Sequence, residues 1–130
     1  MSEENVELVR AHNDAFRRGD WEAVAANLDE HVLVRPDPSW PERYIYGRAA
    51  VVAWLQGVHE SLGPNMRIAE TRDLADRVML CFEWELRGSA SGIEGELRWT
   101  ELVTVRNNRL IFTEMFLDHS EALRELELDQ

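Results

Sequence analysis

Glu101 is the residue whose surroundings most need a chemical explanation. It lies in an alternating run from Glu96 to Arg106, where Leu97, Trp99, Val103 and Val105 share its parity. The other parity carries Glu96, Arg98, Thr100, Thr104 and Arg106, with Leu102 as its apolar exception. Side chains on a β-strand alternate between faces, so the apolar parity is the buried one and takes Glu101 with it. A carboxylate between Trp99 and Val103 needs a counter-ion, a polar pocket or a raised pKa. Arg98 and Arg106 point to the opposite face of the same run, so an ion-pair partner would have to come from another element. The pocket reading is preferred. A carboxylic acid kept neutral there can donate a hydrogen bond to a ligand carbonyl, which a carboxylate cannot do.

Other chemistries find little support. His12, His31, His59 and His119 lack paired metal-ligand spacing, so no metal site is expected. All fourteen basic residues are arginine, which removes lysine Schiff-base chemistry and the P-loop lysine. Neither a glycine-rich phosphate loop nor a Ser-His-Asp order is present, and no cofactor is expected. Twenty-five acidic residues bring the net charge to −11, which opposes nucleic acid and anionic lipid. No apolar run reaches the roughly 18 residues of a membrane span. The acidic start Met1-Ser2-Glu3-Glu4 is unlike a secretory signal, and the single Cys81 fits a reducing compartment. The expected location is the cytoplasm.

At 130 residues the chain is expected to form one domain. From Glu3 to Arg18, Val6, Val9, Asn13 and Phe16, with Leu8 and His12 beside them, form a helical stripe ended by Gly19. Asp20 caps a second helix carrying Trp21, Val24, Ala25 and Leu28. A short β-branched run, His31 to Arg35, leads into the proline-rich loop Pro36 to Pro41. The spacing predicts a third helix from Arg48 to Leu62, with Val51, Trp54, Leu55, Val58 and Leu62 on its apolar side. Strands follow over Met66 to Leu74 and Val78 to Leu86, then a flexible connection, Arg87 to Glu94. Glu96 to Arg106 and Leu110 to Asp118 make a hairpin turned by Asn107-Asn108, and a helical turn or short helix is expected from Ser120 to Leu128.

Helices first and antiparallel strands afterwards describe an α+β domain. The element order, Phe16-Arg17-Arg18-Gly19-Asp20-Trp21, Gly47-Arg48-Ala49-Ala50 and the terminal Phe116-Leu117-Asp118 with Glu121-Ala122-Leu123 carry a resemblance. The chain resembles the nuclear-transport-factor-2-like (NTF2-like) superfamily, in its SnoaL-like (polyketide cyclase) and ketosteroid-isomerase-like branch. The resemblance implies a cone, also called a cystatin-like roll: three N-terminal helices on a curved, mainly antiparallel sheet around an apolar pocket.

In the isomerase branch that pocket holds a tyrosine from the first helix, an aspartate base and a second, protonated acid. By resemblance those positions fall on His12, Asp37 and Glu101. The same reading assigns pocket walls to Phe16, Trp40, Tyr44 and Trp54 and, from the sheet, to Phe82, Trp84, Trp99, Val103 and Met115. The ligand expected is a small hydrophobic molecule, since aromatic walls suit a flat apolar body.

In the last strand, Phe112 and Phe116 are apolar on the parity opposite Ile111, Met115 and Leu117. A strand apolar on both faces is covered on both, and a homodimer through the outer sheet face is the expectation, as in relatives. Two function classes stay open. One is a cofactor-free acid/base enzyme of isomerase, cyclase, dehydratase or hydrolase type; the other is a binding or scaffolding module with the same pocket and no turnover.

Overall fold

A computed structural model describes residues 2–86 and 95–128. The chain runs α1 (Ser2–Arg18), α2 (Trp21–Asn27), β1 (Leu28–Arg35), β2 (Ile45–Tyr46) and α3 (Arg48–Leu62). It continues β3 (Met66–Asp73), β4 (Arg77–Glu85), β5 (Glu96–Arg106), β6 (Arg109–Phe116) and α4 (His119–Leu128). The connection expected over residues 87–94 lies outside the described residues.

The six strands form one curved sheet in the order β2-β1-β6-β5-β4-β3. Every neighbouring pair is antiparallel except β1 with β6. Local chemistry sets the connections. Gly19 takes φ +72° to end α1, and the Asp20 carboxylate accepts the Ala23 amide at 3.2 Å to start α2. Asn107 and Asn108 both take positive φ, 52° and 60°, as a two-residue hairpin turn requires. Two strands carry one extra residue each: Ala69 interrupts the β3–β4 ladder and Ile111 the β5–β6 ladder. Such bulges bend and twist a strand, which suits a sheet that must wrap around a core.

The main core lies between the inner sheet face and helices α1, α2 and α3. Val9, Phe16, Val24, Val51, Leu55 and Val58 meet Phe82, Trp84, Trp99 and Met115 there. A smaller core lies on the outer face, where Ala122 and Leu126 of α4 cover Met79, Leu102 and Phe116. This corrects the argument for an exposed outer face at Phe116. That residue is 3% exposed, with the Arg35 guanidinium 5.0 Å from its ring centroid. The second layer comes from the chain's own C-terminal helix, so the apolar parity of β6 does not require a second copy. The Leu102 exception has the same cause.

Two boundaries also shift. Leu28, read as the end of the second helix, begins β1, because its side chain faces the core from the sheet. The strand at β6 begins at Arg109 and stops at Phe116, where the Asp118 carboxylate accepts the Ser120 amide and turns the chain into α4.

Candidate functional site

Inside the cone is a cavity of about 30 Å³, with room for one or two water molecules. His12 and Asn13 reach it from α1 and Glu101 from β5. Phe16, Trp54, Phe82, Trp84, Trp99 and Met115 supply aromatic and apolar walls. The rest is aliphatic, Leu28 and Val34 from β1 with Val51, Leu55 and Val58 from α3, apart from Thr113 of β6.

Strand register places Glu101. It pairs with Leu80 of β4 and Met115 of β6, both core-facing, so its side chain is directed inward. The Trp99 indole N–H, two residues earlier on the same face, donates to Glu101 Oε2 at 3.0 Å. Among the described residues Glu101 forms no ion pair. Burial in this apolar setting pushes its carboxyl up from 4.5 to about 7, against the smaller lowering effect of the Trp99 hydrogen bond. The acid is therefore substantially protonated at neutral pH.

His12 shows the converse. Its Nδ1 is enclosed and has no hydrogen-bond partner. Burial lowers its pKa from 6.5 to about 4, so the imidazole is neutral at pH 7. An enclosed, unpartnered ring nitrogen costs free energy until some group bonds to it. The cavity thus holds an acid that keeps its proton up to about pH 7 and a neutral base among aromatic walls.

Other residues assigned from the sequence fall elsewhere. Asp37 does not line the cavity. Its Oδ1 accepts the Leu117 amide at 2.8 Å, and Oδ2 accepts the Ser39 amide at 2.9 Å and hydroxyl at 2.6 Å. These bonds, with Arg35 nearby, hold its carboxyl below the usual range even though burial acts the other way. Asp37 ties the proline loop to the end of β6. Trp40 stands just behind the wall, its ring centroid 5.3 Å from Trp99 and 6.3 Å from Trp54. Tyr44 is 61% exposed on the surface of that loop. Val103 shares Glu101's face but is used in core packing and does not reach the cavity.

Two polar wall residues were missed. Asn13 lay within the helical stripe and was read only as part of it. Thr113 shares its face with Met115, two residues further on, and was passed over because it is polar. Cys81 pairs with Thr100 on the outer parity of the sheet, away from Glu101's face. No group of three or more His, Cys, Asp or Glu is arranged to hold a metal among the described residues. No helix among them is long and apolar enough to cross a membrane.

The family model described as a SnoaL-like domain matches residues 9–112. Among solved structures, an NTF2-like protein of unknown function from Mesorhizobium loti superposes with TM-score 0.71 at 22% identity, covering 88% of this chain and 91% of that one. A candidate ketosteroid isomerase from Kribbella flavida gives TM-score 0.73 at 21% identity, covering 88% and 77%. A de novo designed protein with a curved β-sheet gives 0.74 at 14% identity, covering 98% of each chain. At these identities the likeness is one of fold, and the designed neighbour shows that the fold alone implies no chemistry. No curated protein matches the sequence.

Proposed function

The chain belongs to the SnoaL-like domain family, and from that premise we propose that its cavity receives the carbonyl-bearing part of a small molecule and moves a proton on it without a cofactor. The supporting observation is that Glu101 and His12, shifted in opposite directions by the same burial, line one aromatic cavity. Groups whose environments drive their pKa values apart are suited to divided acid and base roles.

In this reading protonated Glu101 donates to the carbonyl oxygen and stabilises negative charge as it develops there. Neutral His12 takes a proton from the carbon beside the carbonyl. That C–H bond breaks, its electron pair forms the enol double bond, and the carbonyl π pair takes the Glu101 proton. The His12 proton then returns to carbon while the enol O–H bond breaks; its electron pair re-forms the C=O and its proton goes back to the Glu101 carboxylate. Return to the same carbon is an exchange, and return to a conjugated one an isomerisation. Trp99 holds the Glu101 carboxyl in one orientation, and the tryptophan walls keep water away.

A cavity of about 30 Å³ is far below the roughly 300–1,000 Å³ of an ordinary ligand pocket. A ligand must therefore be very small or displace a wall, and half-buried Trp54, backed by Trp40, is the wall best placed to give.

One observation favours a second reading, binding without turnover. An imidazole lowered to about 4 is a weak base toward carbon. Proton NMR of cyclohexanone in D₂O separates the two. Exchange of the α-hydrogens above the buffer rate, lost in Glu101→Ala and His12→Gln, supports the enzyme. Saturable binding without exchange supports the binding module. Neither binding nor exchange would overturn the use of this cavity for small carbonyl compounds.

A further inference from the structure

A second concavity of about 280 Å³ lies in the crevice between α1 and β3, the edge strand of the sheet. Arg10 and Arg17 of α1 and Arg67 of β3 line it, with Asp14 as the only acidic residue. In a chain of net charge −11, three arginines against one aspartate make a local reversal of sign. Two of the three are already engaged. Arg17 bonds Asp14 at 2.7 Å, and Arg67 pairs with Glu83. Among the described residues Arg10 has no counter-ion, so it supplies the uncompensated charge.

The crevice also has a specific relation to the cavity. Asn13, one helical turn on from Arg10, lines both of them. Met66 and Ile68 of β3 give the crevice an apolar floor beside it. The half-buried Asn13 amide therefore borders both the arginine-rich surface groove and the interior that holds Glu101 and His12.

We propose that this groove is the anion-binding half of a composite site. The ligand's acidic group lies against Arg10 and Arg67, and its apolar, carbonyl-bearing body passes Asn13 into the cavity. The substrate class is then a small keto acid or an equivalent carbonyl compound bearing an anionic group. Guanidinium groups suit either a carboxylate or a phosphate by charge and by paired N–H geometry. At about 0.15 M salt the Debye length is roughly 8 Å, so distant acidic residues are screened while an arginine in contact is not. This assignment rests on the reading of the cavity given above.

The test uses quenching of the chain's tryptophan fluorescence, since Trp54, Trp84 and Trp99 wall the cavity. The probes are 4-benzoylbutyrate, its primary amide and 3-benzoylpropyl phosphate, at about 0.15 M salt. At least one anion is expected to bind about tenfold more tightly than the amide, a difference of about 1.4 kcal/mol. The tighter of the two identifies the acid group the groove takes. Arg10→Gln with Arg67→Gln, both at exposed positions, should bring the anions within about twofold of the amide and leave the amide unchanged. Anions that bind no better than the amide, or a preference that survives the double substitution, would overturn the proposal. The amide reads the cavity alone. If Glu101→Ala weakens the amide and no anion preference exists, the groove is refuted and the cavity reading stands. If amide binding ignores Glu101→Ala, both are refuted.

Discussion

The Trp99 indole donates its hydrogen bond to Glu101, two residues further along the same strand and on the same face. A buried indole N–H normally finds a partner, and here the partner is the inward-facing, half-buried acid. The bond favours the ionised form and so works against the burial that raises the carboxyl. Trp99→Phe keeps most of the wall and removes the donor. The Glu101 titration midpoint should move further up, read from the carboxyl carbon by NMR, and an unchanged midpoint would mean that the indole does not engage the acid. Lost packing and the lost bond should also lower stability by about 1–3 kcal/mol.

The two shifted groups make opposite contributions to stability as pH changes. Glu101 has a raised folded pKa, so between about 4.5 and about 7 the folded chain holds a proton that the unfolded chain has released. Stability therefore falls with rising pH across that window. His12 has a lowered folded pKa, so between about 4 and 6.5 the unfolded chain holds the extra proton and stability rises with pH. From about 4.5 to 6.5 the contributions cancel. Glu101→Gln should expose the His12 slope, about 1.4 kcal/mol per pH unit upward. His12→Gln should expose the equal and opposite slope. Chemical denaturation across this range checks both, and parallel curves for the wild type and the two variants would refute the account.

The hairpin at Asn107-Asn108, the bounds of α3 and the inward face of Glu101 were all legible in the sequence, because each depends on local periodicity or turn chemistry. The cover supplied by α4 was not. Its Ala122 and Leu126 look like an ordinary amphipathic helix, and only the tertiary arrangement shows which face they protect. Asp37 misled for a similar reason. An aspartate between prolines has the same appearance whether it points into a pocket or clamps a loop, and three hydrogen bonds decide for the clamp. The bulge at Ile111 hid Leu110, which faces the main core although alternation from Met115 would turn it outward.

Asp37→Ala should therefore act on stability and spare the cavity. It removes the acceptor for the Leu117 amide and both Ser39 donors. A loss of about 1–3 kcal/mol is expected in denaturant unfolding, with binding of a neutral ketone little changed at permissive temperature. A variant that keeps full stability and loses binding would return Asp37 to the site.

Phe116→Asp places a charge beneath α4, against Met79, Leu102, Ala122 and Leu126. The Arg35 guanidinium nearby offsets only part of the burial cost. Unfolding should become easier by several kcal/mol, and α4 should lose amide exchange protection. A fully stable variant that merely changes its association state would instead identify Phe116 as an intermolecular contact.

The central claim is that the cavity holds a carboxylic acid that keeps its proton up to about pH 7. The direct measurement is an NMR pH titration of the Glu101 carboxyl carbon in the intact chain, assigned against Glu101→Gln. A midpoint near 7 is expected, well separated from the other carboxylates. A midpoint at or below 4.5 would contradict the account, because Glu101 would then be an ordinary charged residue with its cost of burial met by other means.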